Sequence, residues 1–491
     1  MHQENQILNN TRSTTMERLK VHKIIPTKWF LSSGLVLLLA GMFFGVIGGL
    51  QYVMPGFLKT YLSFEKVRPL HVTSVVFWIL LAAMGSVLHY TRAYTGKLFS
   101  MTLLRIQWII LAITILFILI SYSLGQFGGR EYWEFPPLLA VPILIGWLLF
   151  VINFTKSIHT FKKQPVYVWM WLTGAIGFLF IFSESYLWLL PYFQQDVVRD
   201  MTVQWKSYGS LVGCWNMLIY GSGIYLMEKI SKDSSYGHSK MAFALYFLGL
   251  FNLFFNWSHH IYTLPVGNNI KHIGYLVSMT ELLILGRIIY KWKESLTDAQ
   301  KFSHIISYRF LLAADIWIFL NLILAILMSV PAVNIYTHGT HVTVAHVMGT
   351  TIGINTMLLM AFCFDILMEK NQRPVRFHRQ ITVGYFLANT SLLIFFIALV
   401  GAGIQRSQWQ MSNEGILFST MMKGLMPYFI VFTIAGFFIF VGFTLVIYPL
   451  LKHITLANPQ HETSLNLLVR NNKLGGRKST PRTLAKTLEI E

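Results

Sequence analysis

Long apolar runs alternate with short polar segments along almost the whole chain. A membrane-spanning helix needs about 20 mostly apolar residues, and the sequence contains twelve such runs. They cover 29–53, 69–90, 102–125, 136–155, 166–190, 203–227, 241–264, 270–290, 304–330, 338–367, 383–404 and 422–450. The pattern predicts an all-α, polytopic membrane protein with twelve transmembrane helices, numbered here as spans 1 to 12. The flanking residues predict an N-terminal tail at 1–28, a membrane domain at 29–451 and a C-terminal tail at 452–491.

Composition supports a membrane protein. Hydrophobic residues make up 54% of the 491 residues and charged residues only 12%, about half of the roughly 25% usual in soluble domains. Such a chain cannot cover a water-exposed surface with polar groups. The two cysteines, Cys214 and Cys363, exclude a disulfide framework, a cysteine-based zinc site and a covalent haem site of the C-x-x-C-H type.

The net charge of +19 follows the predicted topology. Basic residues concentrate in the N-terminal tail and in the loops after even-numbered spans, including 156–163, 229–240 and 370–379. Cytoplasmic loops carry such an excess, so both termini are expected in the cytoplasm. The charge therefore indicates orientation, and we expect no nucleic-acid partner.

Histidines are the candidate chemistry, because ionisable groups inside a membrane are costly and usually functional. In the predicted topology six of them lie in the outer third of the bilayer. They are His71 in span 2, His259 and His260 in span 7, and His338, His341 and His346 in span 10. A hydrogen-bonded core histidine explains any one of them, but the joint pattern favours haem or metal ligation. Positions 346 and 348 differ by about 200° around a helix, so span 10 can hold a flat cofactor on each side.

Three segments carry a family resemblance. They are Arg68–His71 (RPLH), Gly129–Pro136 (GREYWEFP) and Tyr336–His346 (YTHGTHVTVAH). Together with twelve spans and a His-His pair in span 7, they resemble the catalytic subunit, subunit I, of the haem–copper oxidase superfamily. The branch most similar is the nitric oxide reductase large subunit, with C-family cytochrome c oxidases next. The resemblance covers roughly residues 29–450.

The resemblance implies two haems b, one low-spin and one high-spin, and a non-haem metal. His71 would bind the low-spin haem and His346 the high-spin haem, while His259 and His260 would bind the metal, which is iron in reductases and copper in oxidases. Glu281 matches the reductase glutamate beside the iron, and carboxylate oxygen suits iron better than cuprous copper. Glu131 would be a ligand for calcium between the haem propionates.

Two positions depart from the family pattern. Met348 stands where the family has the second low-spin ligand, so we predict His71/Met348 ligation, since a thioether is a known axial ligand. The alternative is that Met348 only fills space. The third metal-binding histidine, in span 6, is replaced by Tyr208 or Gly209. Because metal sites usually keep three protein ligands, Glu281 or Tyr208 would complete the site and act in catalysis; otherwise the site is degenerate.

The implied function is that of a respiratory oxidoreductase of a bacterial inner membrane, reducing NO to N2O at a haem/non-haem iron centre. Two alternatives stay open: an oxygen reductase like the C-family cytochrome c oxidases, and a non-catalytic haem-carrying or sensing relative. The substrate would be a gas, NO or O2. Since the chain lacks a covalent haem site, electrons would come from a cytochrome c subunit or a soluble cytochrome c.

Overall fold

In the structure, a computed structural model, the regular secondary structure of the described residues is helical. These are 26–278, 290, 293–294, 296–368, 377–412 and 414–456. Within them no β-strand forms, and a single isolated bridge joins Arg130 to Trp133. One compact unit comprises Pro26–Pro449. Outside this unit, the structure describes residues 450–456, which are helical.

Within the described residues, twelve principal helices overlap the twelve predicted spans in order. They are α1 (Thr27–Val53), α2 (Phe64–Thr95), α3 (Met101–Ser123), α4 (Ala140–Ser157), α5 (Val166–Glu184), α6 (Val197–Ser231), α7 (Lys240–Phe255), α8 (Asn268–Ser278), α9 (Ile305–Ser329), α10 (His341–Leu367), α11 (His378–Met411) and α12 (Met426–Leu456). Short helices lie at Pro191–Gln194, Asp298–Ser303, Pro331–Thr337 and Phe418–Gly424, and 3-10 turns at Pro137–Leu139, Leu187–Leu189, Tyr236–His238 and Asn256–Ile261.

Ten helices of the described chain are long and apolar enough to cross a membrane. This confirms the all-α, multi-pass prediction, because only helices satisfy every backbone polar group inside a bilayer without a closed barrel. The remaining two spans are not confirmed by this criterion. Helix α6 is 35 residues long but carries charged residues such as Asp200 and Lys206. Helix α8 is described only as far as Ser278, and the rest of its predicted span, from 279 to 289, lies outside the described residues.

The two helices that carry most of the candidate ligands lie at the centre of the bundle. In the most apolar part of α2, 78% of residues are buried, and in α10 the share is 72%, against 29% to 56% for the other eight candidate spans. A helix that is enclosed on all sides exposes few side chains to lipid. Histidines on these helices therefore face protein.

Helix α10 is interrupted in its middle by a π-helical segment, Gly349–Thr356. Such segments are rare and frequent at functional sites. Two glycines in it allow α9 to approach closely: a Cβ at Gly349 would lie 2.6 Å from Asn321 Oδ1, and one at Gly353 would lie 2.5 Å from Trp317 Cγ. The segment begins directly after Met348, so it ends the regular α-helix that carries His346 and Met348.

Candidate haem and metal site

One cavity of about 310 Å³ brings the candidate ligands together. It is enclosed by parts of α1, α2, α6, α9 and α10 and by the 3-10 turn Asn256–Ile261. Its lining includes His71, Tyr208, His259, His260, His338, His346 and Met348. The sixth predicted histidine, His341, instead packs its ring against Tyr52 and Phe429, with ring centroids 6.3 and 5.3 Å away. Imidazoles from separate helices therefore share one space.

His71 is oriented by helix α1. Its Nδ1 lies 2.7 Å from the carbonyl oxygen of Gly41, and since a carbonyl only accepts, Nδ1 carries the proton and donates it. Gly45, one turn further along α1, lets the ring approach, because a Cβ there would lie 2.9 Å from His71 Cε1 and Nδ1. The free lone pair of the ring is therefore on Nε2, the usual arrangement of a metal-binding histidine.

His346 and Met348 both border the cavity from the first turns of α10. His346 Nδ1 lies 3.2 Å from Asn321 Oδ1 on α9. Met348, about 200° further around the helix, also packs against the apolar cluster between α10, α11 and α12 that contains Ala398, Leu425 and Phe429. The cavity thus reaches two sides of α10.

His259 and His260 form an adjacent pair. They lie in the 3-10 turn at the end of α7, and their ring centroids are 4.2 Å apart. The ring of Trp205 from α6 stacks on His260, with centroids 5.5 Å apart and planes 11° apart. His338 is the nearest further imidazole in ring contact with His260, at 6.5 Å. Across the described chain no three His, Cys, Asp or Glu side chains come close enough to hold a metal ion together.

Tyr208 and Gly209, the two positions that replace the family's third histidine, differ in their surroundings. Tyr208 is 7% exposed, borders the cavity and packs edge-on against Tyr132, with ring centroids 5.5 Å apart. Gly209 is in backbone contact with the turn that holds the histidine pair, because a Cβ there would lie 2.7 Å from Trp257 Cβ and 3.0 Å from its Cα. Of the two positions, Tyr208 has a side chain in the cavity and Gly209 has no room for one. Glu281, the other candidate for completing the site, lies outside the described residues.

The loop before α4 is anchored to the start of α2 by charge. Arg68 pairs with Glu131 and donates a second hydrogen bond to Glu134 at 2.8 Å, and Arg130 pairs with Asp200 on α6 at 2.6 Å. Burial raises the pKa of Glu134 above its ordinary value, although Arg68 opposes the shift. Glu131, the predicted calcium ligand, therefore faces a guanidinium three residues before His71.

Sequence reasoning missed several residues of this site. Trp205 and Asn321 contact candidate ligands directly, and Arg68 was recognised only as part of a motif. The ion pair between Lys206 on α6 and Glu184 on α5 was also not predicted. A polar residue inside an apolar run, such as Asn321 in span 9, was the available signal.

The sequence matches the family model described as "Cytochrome C and Quinol oxidase polypeptide I" over residues 25–438. That match covers most of the chain, which therefore belongs to this family of haem–copper oxidase subunits. Similar relatives include a nitric oxide reductase subunit of Stutzerimonas stutzeri, 24% identical over 462 residues (88% of this chain, 95% of that protein). Another is the Cbb3-type cytochrome c oxidase subunit CcoN1 of the same organism, 23% identical over 491 residues (92% of this chain, 98% of that protein).

The fold agrees with this assignment. A solved structure described as a heme-copper terminal oxidase dimer aligns with a TM-score of 0.67 at 15% identity, covering 87% of this chain and 84% of that one. The multi-pass helical bundle is therefore the subunit I fold, as predicted.

Haem and metal cofactors are implied by this family, and the described residues fit the haems. His71 and His346 each engage Nδ1 with a neighbour, which leaves Nε2 available as a ligand atom, and Met348 offers a thioether in the same cavity. The fit to a third metal is incomplete, because the described residues provide two adjacent imidazoles and no group of three.

Proposed function

We propose that this chain is the membrane subunit of a respiratory nitric oxide reductase, which converts two NO, two electrons and two protons into N2O and water. The observation that carries the proposal is the shared cavity, which His346 and the adjacent His259–His260 pair both line. The similarity to the nitric oxide reductase subunit of Stutzerimonas stutzeri along 95% of that protein supports it. Glu281, where the reductases have a glutamate beside iron, favours NO over O2 as substrate.

The residues divide into an electron-entry part and a reaction part. His71 and Met348 would hold a low-spin haem b, and His346 a high-spin haem b. His259 and His260 would hold non-haem iron, completed by Glu281 or Tyr208. When bound, these groups supply electrons and a positive field that brings two NO nitrogens together. Tyr208 would donate a hydrogen bond or a proton into the cavity.

The loop with Glu131 and Glu134 would serve proton delivery and cofactor anchoring. Because burial raises the pKa of Glu134, its carboxyl takes up a proton at higher pH than an exposed glutamate. Glu131 would bind calcium in exchange for part of its contact with Arg68. With both termini in the cytoplasm of a bacterial cell, this loop faces outward, toward a cytochrome c subunit or soluble cytochrome c that donates electrons.

The test is cofactor analysis of the purified protein combined with gas consumption. We expect two haems b and one non-haem iron per chain, with NO consumed under reducing conditions. Copper in place of that iron, with O2 as the gas consumed, would instead support an oxygen reductase. The similarity to a Cbb3-type cytochrome c oxidase subunit is consistent with that alternative.

A second candidate is a haem-carrying protein without turnover. Two observations favour it. The described residues contain no group of three metal-binding side chains, and the contact of Gly209 with Trp257 leaves no room there for a histidine side chain. Two haems per chain with no third metal, and no consumption of either gas, would establish it.

The contact between α1 and His71 gives a test of the low-spin site. We expect Gly45→Val to displace the His71 ring, because a Cβ would lie 2.9 Å from two of its atoms and overpacking costs about 1–3 kcal/mol. The reduced-minus-oxidised spectrum should lose most of its low-spin haem b band. Gly48→Ala is the matched control, since its Cβ would lie 3.5 Å from Val67 Cγ1 in ordinary contact. An unaltered band in Gly45→Val would exclude His71 as the ligand.

A further inference from the structure

Three residues around His346 form a closed set of hydrogen bonds between α9 and α10. His346 Nδ1 lies 3.2 Å from Asn321 Oδ1. Asn321 Nδ2 donates to Thr350 Oγ1 at 2.7 Å, and Thr350 Oγ1 donates to the carbonyl oxygen of His346 at 3.1 Å. The set begins and ends on the same histidine.

This arrangement fixes which ring nitrogen of His346 carries the proton. A threonine hydroxyl has one hydrogen, and the carbonyl of His346 receives it. Thr350 must therefore accept from the amide NH2 of Asn321, which turns the amide oxygen toward His346. Since that oxygen only accepts, Nδ1 of His346 must be protonated, and the lone pair is on Nε2.

Packing holds Asn321 in this orientation. The residue is 1% exposed, and Gly349 lies against its amide, where a Cβ would come within 2.6 Å of Oδ1 and 2.8 Å of Cγ. Rotating the amide by half a turn would place an NH2 group opposite the Nδ1–H of His346. That arrangement leaves two buried donors facing each other, which is costly.

We propose that Asn321 is a positioning residue for the proximal histidine: with Thr350 as its orienting partner, it holds His346 as the Nδ1–H tautomer whose Nε2 binds the high-spin haem iron. The inference rests on the proposed haem at His346. Outer partners of this kind set the orientation and basicity of a metal ligand. A neutral amide accepts a weaker hydrogen bond than a carboxylate, so His346 stays a neutral imidazole with a correspondingly modest iron–nitrogen bond.

The experiment is resonance Raman spectroscopy of the reduced full-length protein, which reports the iron–histidine stretching band of a five-coordinate haem. Asn321→Asp should raise the frequency of the band, because a carboxylate draws the Nδ1 proton more strongly. Asn321→Leu should lower or broaden it and weaken retention of that haem about 10- to 100-fold, the usual loss for an outer partner. Thr350→Val should broaden the band, because the amide of Asn321 loses its hydrogen-bond partner. Thr350→Ser keeps the hydroxyl and should show the wild-type band.

Asn389→Leu is the matched control on a neighbouring helix. Asn389 accepts from Trp317 Nε1 at 3.2 Å and donates to the carbonyl of Tyr385, so its loss should leave the band in place. Asn321→Asp is nearly isosteric and keeps the test available should Asn321→Leu fail to accumulate. A band unchanged in the Asp and Leu variants at full haem content would overturn this inference alone. A wild-type protein without a high-spin haem would overturn the proposed function together with it.

Discussion

Met348→His is expected to turn the low-spin haem into a bis-histidine haem with a much lower reduction potential. Imidazole stabilises ferric iron better than a thioether does, and His/Met ligation raises the potential. Axial ligands and their surroundings set haem reduction potentials over a range of roughly 0.8 V. We expect the reduction potential of the low-spin haem to fall by a substantial part of this range. Near-infrared magnetic circular dichroism and a redox titration measure the two effects, and reduction of the high-spin haem by the electron donor should slow in parallel.

Two further variants separate ligation from packing. Met348→Leu keeps an apolar side chain of similar volume, for which packing alone costs less than about 1.5 kcal/mol, but removes the sulfur, so the low-spin signal should be lost. Met357→Leu on the same helix, at a fully buried position, should leave the spectrum unchanged. A bis-histidine signal in the wild-type protein would contradict ligation by Met348.

The order of helices could be predicted from the sequence because a bilayer allows the chain few alternatives. Apolar length locates a span, as for α9, predicted at 304–330 and found at Ile305–Ser329. Helix α6 begins at Val197, six residues before the predicted 203, because its first turns are polar. There the Asp196 carboxylate caps the helix by accepting from Arg199 N at 2.9 Å, a signal that hydropathy does not contain.

The histidines of the candidate site could be read from the sequence, whereas their neighbours could not. Depth along a span follows from residue number, which placed His71, His260 and His346 at a similar level. Which residue faces them depends on helix rotation and on close approaches, such as that of α9 to Gly349. The contacts of Asn321 with His346 and of Trp205 with His260 therefore required coordinates, as did the π-helical segment that follows Met348.

The histidine pair, which has no third ligand among the described residues, gives the second large expected effect. Tyr208→His would place a third imidazole in the cavity, at one of the two positions that match the family's histidine; the same cavity is lined by the His259–His260 pair, whose ring centroids are 4.2 Å apart. Three protein ligands are the usual minimum for a metal site with an open position. We expect the affinity for iron, measured as its retention in the presence of a chelator, to rise more than 10- to 100-fold, which is the contribution of a single outer partner. Timed metal analysis during chelation measures this retention.

Gly209→His distinguishes the two ways of matching span 6 to the family. Its Cβ would meet Trp257 at 2.7 Å, so we expect a loss of about 1–3 kcal/mol in stability from overpacking and no gain in metal. If Gly209→His retains iron better and Tyr208→His does not, then Gly209, one residue later than Tyr208, is the position that matches the family's histidine.

Tyr208→Phe removes only the hydroxyl. If it lowers turnover while metal content stays constant, the phenol acts in proton transfer; if metal is lost as well, the phenol oxygen is itself a ligand, and the site of this chain has exchanged an imidazole for a phenolate.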